Sequence, residues 1–221
     1  MNIIIDLDNT LFYNHVVDTV CALHSIPRGV RHDLTDLPAY AREECFAMFE
    51  NHDVMGNLQP FKGAYKVVKK LLDMGHNVFI VTARDSNLEM ATVAMVNKHL
   101  PKGVKVVIVG SYNKFDVYKE LKADIVIDDH FEHIQQAKMA KATHVVMVSN
   151  NLTPYNHIHK DCVLNMGGTI VNSISEFGEL FVKWQDHMDR LEYCNDVNML
   201  LSNFDNVDED DYDESTICGI V

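Results

Sequence analysis

Basic residues are scarce in this 221-residue chain: 19 lysines and arginines stand against 32 aspartates and glutamates, for a net charge of -13. None follows Arg190, whereas nine acids do, seven of them between Asp205 and Glu214. Duplex nucleic acid is bound by surfaces rich in Lys and Arg, so it is excluded as a partner. A single nucleotide is not, because one phosphate needs only a metal, one lysine and backbone amides. Cysteine is sparse too. The five (Cys21, Cys45, Cys162, Cys194 and Cys218) are odd in number and hold no C-x-x-C pair. That excludes a disulfide framework and a cysteine zinc site, and it implies free thiols in a reducing compartment. Long apolar runs are missing as well. No stretch approaches the ~20 residues of a membrane span, and the first apolar run lacks a basic flank. Neither a membrane anchor nor a secretory leader is expected, and the chain is read as cytoplasmic.

What is present is an apolar fraction of 47 %, enough for a buried core. Strand signals fall at Asn2 to Asp6, Asn77 to Thr82, Val104 to Val109, Asp124 to Asp128 and His144 to Ser149. Amphipathic helical patterns separate them: Ala64 to Met74 before Gly75, Asn87 to Leu100 before Pro101, Phe115 to Lys122, and Phe131 to Lys141. Near-continuous apolar strands alternating with helices predict an α/β fold with a doubly wound parallel sheet. Residues 13–60 break the alternation, carrying only helical patterns at Val16 to His24 and Ala39 to His52. A further helix is expected from Glu176 to Leu191. The acidic run after it predicts a disordered tail over 195–221.

The chemistry is concentrated where apolar runs stop. Ile3-Ile4-Ile5 leads into Asp6-Leu7-Asp8-Asn9-Thr10, two carboxylates at i, i+2. Such a pair costs desolvation and mutual repulsion unless something uses it. Val78 to Val81 ends in Thr82, and Ile125-Val126-Ile127 ends in Asp128-Asp129. Lys114 opens the helical stretch that leads into this last run. Ligands of open α/β sheets bind at the carboxyl ends of strands. Acids, a hydroxyl and a lysine gathered there suit a phosphoryl group and a hard cation. Lys119 and Lys122 also precede the double Asp and rival Lys114.

In this order, Asp6-Leu7-Asp8-Asn9-Thr10, Thr82, Lys114 and Asp128-Asp129 resemble the four motifs of the haloacid dehalogenase (HAD) superfamily of phosphotransferases, across roughly residues 2–150. Pro60-Phe61-Lys62-Gly63-Ala64 and Leu152-Thr153-Pro154-Tyr155-Asn156 look like the 5'-nucleotidase and deoxyribonucleotidase branch. The resemblance implies a Rossmann-like core of residues 1–12 and 61–194, with a small helical cap at 13–60. It implies Asp6 as nucleophile, Asp8 as general acid and base, and Thr82 and Lys114 as phosphoryl-binding groups. It also implies Mg²⁺ on Asp6, the Asp8 backbone carbonyl and Asp128, with Asp129 as a further ligand or a hydrogen-bond acceptor just outside them. Lys114 is favoured over Lys119 by its place at the start of a helix.

The expected reaction is therefore Mg²⁺-dependent hydrolysis of a small phosphorylated substrate, a (deoxy)nucleoside monophosphate first, a sugar phosphate or similar metabolite second. A non-catalytic protein on the same scaffold is the third reading, although every motif residue is intact. A signalling receiver domain would place Thr and Lys after its phospho-acceptor, and here both precede Asp128. Asn9, Phe12 and Arg84 are the candidate substrate contacts, Arg84 alternatively capping a helix. His130 with His133, and His157 with His159, have metal-like spacing but no third ligand, and are read as core or solvated histidines. The oligomeric state is left open.

Overall fold

The computed structural model describes residues 1–27, 34–149, 154–187 and 190. The chain divides into two compact units, Met1–Gly178 and Glu179–Val221. The expected tail at 195–221 and the motif residues Leu152 and Thr153 lie outside the described residues.

Six strands of the first unit form one parallel sheet. In chain order these are β1 (Asn2–Ile5), β4 (Asn77–Thr82), β5 (Lys105–Ile108), β6 (Ile125–Asp128), β7 (His144–Val148) and β8 (Thr169–Val171), arranged β5-β4-β1-β6-β7-β8. Parallel sheets of this kind bury both faces, and the strands are accordingly apolar throughout. Ile3, Ile4 and Ile5 are fully buried at the centre, each contributing about 2 kcal/mol by leaving water. Alternation sorts the two faces. Ile4, Phe79, Val81, Val126, Val145 and Met147 form one cluster with Tyr118, Ile134, Ala137 and Val163. These last four belong to α6 (Phe115–Glu120), α7 (Phe131–Met139) and α8 (Lys160–Asn165).

The expected strands and the helices between them are present, with ends shifted by a few residues. α4 (Ala64–Asp73) stops before Gly75, whose φ of 81° supplies the left-handed turn. The Asp85 side chain accepts from the Asn87 backbone N–H at 2.9 Å and starts the turn that runs into α5 (Glu89–His99). The chain is helical over 174–187.

Three short strands escape the sequence reading. β8 has three residues, and β2 (Phe12–Tyr13) pairs antiparallel with β3 (Gln59–Pro60) in a separate two-stranded ribbon. Two or three residues carry no periodicity, so only the pairing partner reveals such strands. The ribbon closes the neck of the 13–60 segment. Beyond it run α1 (Val16–Leu23), a 3₁₀ turn at Leu34–Asp36, α2 (Ala39–Phe49) and α3 (His52–Met55). Among the described residues this segment is helical, and it belongs to the same compact unit as the sheet.

Candidate active site

β1 lies between β4 and β6, at the point where the strand order turns back, and that is where a doubly wound sheet opens a crevice. Ile5 is in register with both Ile80 and Ile127. The first polar residues past these strands therefore emerge side by side. The Asp6 N–H donates to the Ile127 carbonyl at 2.8 Å, which locks the register where Asp6 and Asp128 come together.

Lys114 sits between them. Its side chain is fully buried, and Nζ donates to Asp6 Oδ1 at 2.6 Å and to Asp128 Oδ2 at 2.8 Å. Lys119, the sequence rival, is exposed on α6. Lys114 reaches the acids because it caps α6, and its own N–H is fixed by Gln136 Oε1 at 2.7 Å. Burial works against the Lys114 charge, but Asp128 and Asp6 outweigh it and raise its pKa well above the ordinary value. For Asp128 burial is likewise overcome, by Lys114 and then His133, and its carboxyl is held below the usual carboxylate range. Burial pushes the Asp6 carboxyl up to about 7; Lys114 pulls the other way, and Asp128 and Asp8 add to the rise. Asp6 and Asp128 thus share one lysine.

Oxygens of Asp6, Asp128 and Asp129 lie within 4.8 Å of one another, and all three residues are buried. A close set of hard carboxylate oxygens with one cationic neighbour fits a small divalent cation such as Mg²⁺. Around Asp128 the structure places His130 and His133, which the sequence reads as core or solvated histidines, and Tyr118, which it does not single out. The His130 N–H donates to Asp128 Oδ1 at 2.8 Å, and the His133 ring stands 3.1 Å from the same oxygen. The other His133 ring nitrogen meets the Tyr112 carbonyl at 3.1 Å, and the buried Tyr118 hydroxyl stands 3.4 Å from Asp128 Oδ2. His133 thus orients a candidate metal ligand from outside. Its i+5 spacing from Asp128 was the available signal, obscured because His133 was paired with His130.

Asp8 is engaged separately. Arg84 grips it as a fork, Nε to Oδ2 at 2.8 Å and Nη2 to Oδ1 at 2.9 Å, and Asn14 Nδ2 adds a bond to Oδ1 at 3.1 Å. Arg84 therefore spends its guanidinium inside the protein, on Asp8 rather than on open space. Thr82 is buried at the end of β4, where its Oγ1 accepts from the Arg84 N–H at 3.3 Å. Asn9 takes φ 59°, a left-handed value that asparagine tolerates, and its Oδ1 accepts from the Asn14 N–H at 3.2 Å. Asn9 makes the turn that returns the chain to Phe12, whose carbonyl accepts the Asn9 N–H at 2.7 Å. Phe12 itself is fully buried, its ring edge-on to His99 with centroids 5.9 Å apart. The expectation that Phe12 faces a substrate is corrected on that ground: β2 turns its ring into the core, and no surface is left for a ligand. His157 is exposed, and His159 stacks on Phe131 with centroids 4.3 Å apart.

No family model matches the sequence, and no curated relative matches it. Solved structures do match the fold. A HAD family hydrolase from Deinococcus radiodurans with bound phosphate and sodium is similar at TM-score 0.56 and 16 % identity, over 80 % of this chain and 92 % of its own. A phosphonoacetaldehyde hydrolase-like protein from Oleispira antarctica reaches 0.56 at 13 % identity, over 86 % and 94 %. The L-2-haloacid dehalogenase of Xanthobacter autotrophicus reaches 0.53 at 12 % identity, over 81 % and 97 %. The chain has the Rossmann-like α/β fold of HAD-superfamily hydrolases. The similar structures include a phosphonoacetaldehyde hydrolase-like protein and a haloacid dehalogenase, so the reaction must be argued from the residues.

Proposed function

We propose that this protein is a Mg²⁺-dependent phosphomonoesterase that works through an aspartyl-phosphate on Asp6, with (deoxy)nucleoside monophosphates as its substrate class. The observation that carries the reading is Lys114 Nζ bridging Asp6 and Asp128 at the ends of adjacent strands, with a second carboxylate, Asp8, two residues along.

A carboxylate oxygen of Asp6 attacks phosphorus, the phosphorus–oxygen ester bond breaks, and Asp8 gives its proton to the leaving alkoxide. Asp8 then takes a proton from water, whose oxygen attacks the phosphoryl group. The aspartyl bond breaks, inorganic phosphate leaves, and Asp6 returns to a carboxylate. Lys114 and Thr82 stabilise charge on the transferring oxygens. Asp6, Asp128, Asp129 and the Asp8 carbonyl would hold the Mg²⁺, which neutralises charge between the nucleophile and the phosphoryl group. Phosphate ester hydrolysis must balance the phosphoryl charge, and the acid cluster beside Asp6 supports that reading because it would hold the cation that does so.

Support for the nucleotide class is narrower. It rests on the resemblance carried by Pro60 to Ala64, at the entry of α4, and by Leu152 to Asn156, and Gly63 has a local reason of its own. Its φ is 90°, and a Cβ at that position would stand 2.1 Å from Ser175 Oγ. The helical 13–60 segment is the proposed cap that selects the substrate and excludes water.

The test is phosphate release from nucleoside monophosphates, deoxynucleotides and sugar phosphates, with Mg²⁺ or EDTA, alongside Asp6→Asn. Metal-dependent release from nucleotides, abolished in the variant, is expected. Release confined to sugar phosphates would discard the substrate class and keep the chemistry. Wild-type turnover by Asp6→Asn would sink the mechanism.

A further inference from the structure

Both ends of the helical segment reach the same carboxylate. Asn14, just past β2, donates to Asp8 Oδ1 at 3.1 Å. Met55, the last residue of α3, reaches Asp8 through Arg84: Nη1 donates to the Met55 carbonyl at 2.9 Å while Nε and Nη2 fork Asp8. Nη1 also donates to Thr92 Oγ1 of α5 at 3.0 Å. At least four hydrogen bonds thus leave one buried guanidinium that has five N–H donors. α3 is seated closely where Arg84 meets it, since a Cβ at Gly56 would stand 3.3 Å from Ala91 Cβ of α5. Asp8 keeps an open side, with 22 % of its side chain exposed, against 3 % for Arg84.

We infer that Arg84 is a positioning residue that sets the Asp8 carboxylate and tethers it to α3, so that the seating of the helical segment and the proton transfers of Asp8 are coupled. This rests on the role given to Asp8 above. A planar fork with two parallel bonds fixes both the position and the plane of a carboxylate, which a lysine cannot do. Its remaining side is satisfied by a main-chain carbonyl of α3, so a shift of α3 strains or releases the fork. Asp8 must free an oxygen toward the leaving group to work. A tether that loosens or tightens with the segment therefore links substrate enclosure to proton transfer.

The experiment compares wild type, Arg84→Ala, Arg84→Lys, Asp8→Asn and the double variant Asp8→Asn/Arg84→Ala. Each hydrolyses p-nitrophenyl phosphate, whose leaving group departs without a proton, and an alkyl phosphate, whose leaving group needs one. In the first turnover, which transfers the phosphoryl group to Asp6, Arg84→Ala should lose about 10- to 100-fold on the alkyl ester and under about 3-fold on the nitrophenyl ester, because general acid catalysis is worth about 10²- to 10⁴-fold where a proton is required. Steady-state kcat falls on both, because hydrolysis of the aspartyl-phosphate needs Asp8 as base. The ratio of the two rates comes from one sample, so any unfolded fraction cancels. Arg84→Lys should remain closer to Arg84→Ala than to wild type. The double variant should lose little beyond Asp8→Asn. Equal losses in the two first-turnover rates, or a raised KM with unchanged kcat, would overturn the inference and make Arg84 a structural or substrate-binding residue.

Hydrogen exchange over residues 51–57 reads the tether without turnover. Exchange faster in Arg84→Ala but not in Asp8→Asn is expected, and wild-type exchange in Arg84→Ala would overturn the tether. Wild type that hydrolyses neither ester would remove the Asp8 role itself, and that outcome is separable from a failed tether by the same exchange data.

Discussion

Replacing Lys114 with methionine removes one charge and little volume from a site whose balance depends on it. Nζ is fully buried and bonded to two carboxylates, at 2.6 and 2.8 Å. Without it, Asp6 and Asp128 lose the ammonium group that both bond, in a cluster whose three acids have oxygens within 4.8 Å of one another. Breaking a buried ion pair by deleting one partner costs about 3–5 kcal/mol, because the charge left behind remains desolvated. Each kcal/mol moves the melting temperature of a domain this size by about 2–4 °C, so a fall of roughly 6–20 °C is expected in metal-free buffer. The acids of the variant repel more strongly, and Mg²⁺ should recover part of the loss by binding the folded state. Saturation at a hundredfold above Kd contributes about 2.7 kcal/mol. Urea unfolding with Mg²⁺ and with EDTA measures both effects, and phosphate release measures the catalytic one. A metal-free midpoint within about 0.5 kcal/mol of wild type would refute the reasoning. It would mean that the acids are neutralised by protonation, with the lysine incidental.

In wild type, Mg²⁺ should raise the melting temperature, and Asp128→Asn should abolish the shift; an undiminished shift would move the metal away from this cluster. Gly63→Ala places a Cβ 2.1 Å from Ser175 Oγ at a φ of 90°, so a loss of at least about 1 kcal/mol in urea unfolding is expected, and an unchanged midpoint would refute the left-handed turn. Burial, helped by nearby Cys21 and Glu44, pushes the Cys45 thiol up to about 11. Its folded pKa is raised, so its contribution to stability is full below the unfolded value near 9 and is lost as pH rises toward 11. At pH 8 iodoacetamide should therefore label exposed Cys162 quickly and spare Cys21 and Cys45 until denaturant is added, as peptide mass spectrometry would show. Rapid labelling of Cys45 in the native protein would contradict its burial.

The central strands were legible because each is a run of β-branched residues whose buried faces need no partner to be recognised. Ile3-Ile4-Ile5 and Ile125-Val126-Ile127 read as strands from composition alone, while their adjacency is a matter of sheet order. Strands β2, β3 and β8 were not legible, because two or three residues gain their conformation from the segment they pair with. Phe12 shows the same limit. Its place in the chain, just past the acid pair, pointed to the site, and its pairing with Pro60 turned it inward.

Within the site, the sequence by itself determined the chemical inventory: Asp6, Asp8, Thr82, Lys114, Asp128 and Asp129 stand at strand or helix ends. Strand ends are set by local patterning, and sheet order then brings them together. The partnerships were decided only by tertiary structure. Lys114 rather than Lys119 is drawn between Asp6 and Asp128 because the residue that caps α6 is buried against the sheet, whereas Lys119 lies on the exposed face of the helix. Arg84 is claimed by Asp8, 76 residues away, and by Met55 and Thr92. A guanidinium carries its charge into any environment, and no local pattern says which carboxylate will desolvate it. That is settled by which surfaces close over it when the helical segment folds back onto the sheet.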